Sequence, residues 1–156
     1  MKYNRIYMNR AIKEAKKAYL NDEVPVGAVI VKNNKIIACG YNKKEKNNNA
    51  ISHAEIITII KASKKLNNWR LNDCDIYVTL MPCPMCASAI KQARISNIYC
   101  GLNNSDEDVT KIVDKILDND NTNGKTNIVS DLAVDEVKNI MQKFFKNKRI
   151  DSNNVI

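Results

Sequence analysis

The chain has a single histidine, His53, followed two residues on by Glu55 and about thirty residues later by the run Pro82-Cys83-Pro84-Met85-Cys86. One imidazole and two thiols are donors that zinc accepts. Three such ligands beside a non-coordinating carboxylate make a catalytic site, because the fourth metal position stays open for water. Cys83 and Cys86 lie three positions apart, so on the first turn of a helix both sulfurs face one side. Pro84 suits that turn, where its missing N–H costs nothing. The positive end of a helix also favours the thiolate form that binds metal. Two thiolates neutralise Zn²⁺, so the metal acidifies water less than an all-histidine site would, and a base is needed. Glu55 is the candidate, taking a proton from water and returning it to a leaving group.

Other readings of the Cys-x-x-Cys pair are a redox couple and a structural zinc. The flanks expected of a redox motif are missing. A structural site needs a fourth protein ligand, which no second histidine supplies and only another cysteine could.

The elements that must position these residues follow from periodicity. Met8, Ala11, Ile12, Ala15 and Tyr19 recur at helical spacing, predicting a helix over 3–20 with a basic outer face. Apolar runs at 26–31 and 35–39 flank Asn33-Asn34 and read as a β-hairpin. After a polar loop at 43–49, Ser52 is the expected N-cap of a helix carrying Ile56, Ile57, Ile59, Ile60 and Leu66, with His53 and Glu55 in its first turn. A strand at 75–80, a helix at 82–93 and a strand at 97–101 predict a parallel pair with a helical crossover. A helix at 109–117, an Asn-rich turn ending near Gly124, a strand at 126–129 and a helix at 135–146 complete the pattern. One mixed sheet with helices on both faces is the α/β architecture expected, in a single domain over 1–156.

Composition bounds the function. The 156 residues suffice for one core without a metal to hold it. No apolar run is long enough to span a bilayer, and the N-terminal residues have no apolar signal core, so a cytoplasmic protein without a membrane partner is expected. Five cysteines, an odd number, argue for reduced thiols. Of these, Cys39, Cys74 and Cys100 sit beside strand-like segments and read as core thiols. A net charge of +8 permits a polyanionic partner. The basic residues cluster at both ends of the chain, while 106–120 is acidic on balance.

His53-Ala54-Glu55 and Pro82-Cys83-Pro84-Met85-Cys86 resemble the signature of the zinc-dependent nucleobase deaminases. The chain further resembles the bacterial tRNA-specific adenosine deaminases, through Glu23-Val24-Pro25-Val26-Gly27-Ala28-Val29, Gly40-Tyr41-Asn42, Asn68-Trp69-Arg70-Leu71, Tyr77-Val78-Thr79-Leu80 and Phe144-Phe145. That resemblance implies a three-layer α-β-α, cytidine-deaminase-like fold with a five-stranded mixed sheet. It implies one Zn²⁺ per chain held by His53, Cys83 and Cys86, with Glu55 as the proton shuttle. Asn42, Val26, Leu80 and Ala54 fall at substrate-pocket positions, the partner is a tRNA anticodon loop, and the working unit is a homodimer. The reaction it implies is conversion of a wobble adenosine to inosine with loss of ammonia.

The chain departs from that pattern at three places. Met81 replaces the usual Glu, Asn49-Ala50 replace Asp-Pro, and the loop from Leu102 to Asp108 lacks the common Gly-rich run and has Asn104 for Asp. Three acids in that loop are expected to oppose phosphate. Two alternatives are deamination of a free base or nucleoside, and a zinc-stabilised RNA-binding module without catalysis.

Overall fold

A computed structural model describes residues 2–118 and 124–154. The elements run α1 (Arg5–Leu20), β1 (Gly27–Lys32), β2 (Lys35–Tyr41), α2 (Ala54–Leu66), β3 (Cys74–Leu80), α3 (Pro84–Gln92), β4 (Asn97–Leu102), α4 (Glu107–Leu117), β5 (Asn127–Val129) and α5 (Val134–Asn154). They form a five-stranded sheet in the order β2-β1-β3-β4-β5. β1 is antiparallel to both β2 and β3, whereas β3, β4 and β5 are parallel. The hairpin turns through Asn33 and Asn34, both at positive φ, as a two-residue connection matched to strand twist requires.

Successive strand residues point to opposite faces, and both faces are covered. Ala28, Ile30, Ile76, Val78, Ile98 and Cys100 pack under Ala54 and Ala62 of α2, Ala87 and Ile90 of α3, and Val113 and Leu117 of α4. Val29, Val31, Tyr77 and Tyr99 face Met8, Ala11 and Ile12 of α1 and Val137 of α5. The expected three-layer mixed sheet is therefore the observed one.

Several boundaries shift for identifiable reasons. α1 starts at Arg5 because the Asn4 side chain accepts the Ile6 N–H. α4 starts at Glu107, since Asp106 caps it through the N–H groups of Asp108 and Val109. α5 continues past 146 to Asn154. Ser52 is not the cap of α2: that position falls to His53, whose backbone is extended and whose ring makes no capping bond. The Asn-rich turn before Gly124 lies outside the described residues.

Candidate active site

Two helix N-termini meet at the C-terminal end of β3. His53 is the N-cap residue of α2 and Cys83 that of α3, and neither side chain caps its own helix. Both side chains are turned toward each other instead. His53 Nδ1 lies 3.7 Å from Cys83 Sγ and 3.5 Å from Cys86 Sγ. With Zn–N and Zn–S bonds of ordinary length, a tetrahedral ion needs an N···S edge of about 3.6 Å, so the three donors fit one metal. Among the described residues no fourth histidine, cysteine or carboxylate joins this group. Cys39, Cys74 and Cys100 are free thiols outside it, which removes the donor that a closed structural site would require.

Pro84 occupies the first turn of α3, and the N–H groups of Met85 and Cys86 that follow it favour the Cys83 thiolate without making a capping bond to the thiol. A hydrogen bond from the Cys86 thiol, aided by those N–H groups and by His53, brings the Cys83 thiol down to about 5. The same bond, together with burial, pushes Cys86 up. A pair sharing one proton over a helix N-terminus is poised to lose it to a cation.

Glu55 lies in the first turn of α2, 4% exposed, and burial pushes its carboxyl up to about 7. Its carboxylate reaches the Cys86 thiol. A carboxyl placed here, beside the three candidate donors and not among them, can hold and pass on a proton.

The remaining sequence candidates gather around the start of α2 with unequal roles. Asn42 is buried, and its Oδ1 accepts the Ala54 N–H at 2.8 Å while its Nδ2 donates to the Val24 carbonyl at 3.1 Å. It thus supplies the capping that His53 does not. Its own N–H donates to the Val26 carbonyl. The Val26 side chain belongs to the core under α2, and Ala54 is fully buried. Leu80, at the end of β3, instead opens onto a groove of about 930 Å³ shared with Leu102, Asn103, Asn104, Met141, Phe145 and three cations, Lys138, Lys146 and Arg149.

The structure divides the Phe144-Phe145 pair. Phe144 is buried against Tyr19, and Phe145 is 42% exposed in the groove. Asp131 carried no signal in the sequence, yet its Oδ1 accepts the N–H of Asn103, one of the residues lining the groove. Met81 is buried with the core, beside Thr110 of α4. The three acids after it have local work. Asp106 caps α4, and Glu107 and Asp108 lie in the first turn, where the helix dipole favours them.

Comparison with known proteins places this arrangement among hydrolytic deaminases. The MafB19-like deaminase family model matches residues 3–149, and the chain belongs to that family. It is 38% identical over 149 residues to a tRNA-specific adenosine deaminase of Bacillus subtilis (strain 168), an alignment spanning 96% of this chain and 92% of the relative. Among solved structures, one from a study of A-to-I editing by tRNA:A34 deaminases at the wobble position of transfer RNA matches with a TM-score of 0.80 and 34% identity, covering 88% of this chain and 99% of the other. Guanine deaminase from Bacillus subtilis matches with a TM-score of 0.63 and 34% identity over 71% of each chain. The three-layer sheet is the cytidine-deaminase-like fold of these neighbours.

Proposed function

We propose that this chain, working as one domain, is a zinc-dependent tRNA adenosine deaminase that converts the wobble adenosine of an anticodon loop to inosine and ammonia. The observation that carries RNA over a free base is the groove that opens at Leu80, on the strand leading into the Cys83–Cys86 turn, which carries an exposed aromatic ring and three cations. Unstacked bases stack on aromatic side chains, and cations displace the counterions of phosphates.

His53, Cys83 and Cys86 would hold one zinc per chain, which when bound supplies a Lewis acid that makes water reactive at neutral pH. Glu55 accepts a proton from the attacking water and delivers it to the departing amine, so one carboxyl serves as base and then as acid. Asn42 keeps a second amide N–H beyond the one given to Val24 and offers it to the base. Leu80 and Val26 form apolar walls, and the small Ala54 lets the base approach the start of α2.

Ile51, Ile60 and Met85 are exposed on the α2 side of the sheet and support a homodimer through that face. No described helix is long and apolar enough to cross a membrane. A cytoplasmic location is the reading that agrees with a tRNA substrate.

The test presents the zinc-loaded protein with an anticodon stem-loop carrying wobble adenosine, and separately with guanine, cytosine, adenine and their nucleosides. Inosine in the stem-loop is the expected product. Ammonia from a free base, with the stem-loop untouched, overturns the RNA assignment.

A further inference from the structure

We propose that Glu23 is a positioning residue for RNA binding, a buried clamp that holds the lysine-bearing loop at 42–52 in register with the catalytic helix. The inference rests on the RNA reading given above. Glu23 lies in the connection between α1 and β1, distant in sequence from every metal ligand, and is 2% exposed. Its two carboxylate oxygens accept the N–H groups of Glu45 and Lys46, at 3.0 and 2.9 Å. Among the described ion pairs none involves it. Backbone N–H groups are therefore its main compensation for burial, and charge-assisted bonds of this kind are the strong ones.

The loop it holds has little else to keep it in place. Residues 44–51 are exposed and bring no apolar side chain to the core. Internal bonds close the loop on itself, from Asn47 N–H to Lys43, Asn48 N–H to Glu45, Asn49 N–H to Lys44 and Lys43 N–H to Ser52. A compact loop with adjacent ends keeps its shape this way, but its placement on the body depends on external anchors. Among the described hydrogen bonds, the anchors outside α2 come from one short segment, 23–26. The Glu23 carboxylate holds the loop's middle, while the carbonyls of Val24 and Val26 hold Asn42 at its base. Asn42 in turn holds Ala54, between His53 and Glu55.

Lys43, Lys44 and Lys46 are therefore held in place on the loop that follows Asn42, the residue whose side chain accepts the first N–H of the catalytic helix. Among the described hydrogen bonds the neighbouring Asp22 makes none to this loop and pairs instead with Lys148 of α5 at 2.7 Å. That pair is exposed and worth little. Asp22 is thus a built-in control for the buried Glu23.

The experiment compares zinc-loaded parent, Glu23→Gln, Glu23→Ala and Asp22→Asn on the wobble-adenosine stem-loop, recording kcat, KM, the dependence of KM on salt, zinc content and the circular dichroism spectrum. Glu23→Gln keeps the shape but faces an N–H with an amide NH₂. It is expected to raise KM about tenfold, with kcat and zinc unchanged. The logarithmic salt slope should flatten by about one as a phosphate contact is lost. Asp22→Asn should match the parent. Should Glu23→Ala fail to fold, Glu23→Gln decides alone. A parental KM and salt slope in Glu23→Gln overturn the proposal, as does a fall in kcat with loss of zinc, which would make Glu23 a brace of the metal site. A parent that leaves the stem-loop untouched refutes the substrate assignment instead, and is told apart by that result.

Discussion

Among the described residues three glutamates are buried, and each is accommodated differently. Glu14, on α1, is pushed up by burial, but hydrogen bonds from Lys17, Cys39 and Arg10 outweigh this and leave its carboxyl below the ordinary 4.5. Because the folded value is depressed, its stabilisation is full above the unfolded value and is lost as pH falls through the folded one. Glu14→Gln should therefore lower stability at pH 7 by about 1–2 kcal/mol. The gap from the parent, followed by urea unfolding from pH 7 downward, should close below 4.5. Glu55 has no cation to hold it, and its burial beside the thiols suits proton transfer. Glu55→Gln preserves shape and removes the shuttle, so kcat should fall about 10²–10⁴-fold while zinc content and melting temperature stay parental. Parental turnover in this variant would mean that Glu55 carries no proton, whereas a parent without turnover on the stem-loop or on any free base or nucleoside would favour a non-catalytic module. The placement of Glu55 beside His53 was legible in the sequence through their spacing, but the surroundings of Glu14 and Glu23 were not, because their partners are set by packing.

At the scale of elements, the site depends on two helices starting in the right place. A Cβ on Gly27 would lie 2.1 Å from the Ala11 carbonyl oxygen and 2.4 Å from the Ala15 nitrogen. Only a glycine lets the first residue of β1 pass this close to α1. Both contacts are backbone and cannot swing away, so Gly27→Ala should cost about 3 kcal/mol and lower the melting temperature by roughly 10 °C, as read by calorimetry. An unchanged melting point would show that α1 shifts freely on the sheet. α5 presents two faces. Phe144 packs on Tyr19 and Phe145 lines the groove. Phe144→Ala should thus lower the melting temperature, whereas Phe145→Ala should leave it and raise KM for the stem-loop by about tenfold, the loss of one base stack. The reverse pattern in the two assays would mean that the groove is not the RNA path. The periodicity of α5 marked a helix, but neighbouring aromatics on one helix gave no means of telling the buried ring from the exposed one.

At the scale of the molecule, the basic residues of the sequence resolve into distinct surfaces, including the loop at 43–46 and the groove face of α5. The apolar side chains on the α2 face form another. If that face joins two copies, the parent should scatter light as a dimer, and Ile60→Lys as a chain of 17.7 kDa; a monomeric parent removes the dimer from the proposal. The sequence alone determined the candidate donor types, the acid beside them and the alternation of strands and helices. These are local properties, written in spacings of two, three and about thirty residues, and a metal site advertises itself because few other arrangements need that donor set. It also suggested Ser52 as the helix cap. Only the tertiary structure showed that Asn42 performs that task from another element, freeing His53 to turn toward the thiols. It likewise gave Glu23 to a distant loop. Those assignments depend on backbone N–H groups brought close by the sheet order, and a polar side chain does not record in its own neighbourhood which distant backbone group it will meet.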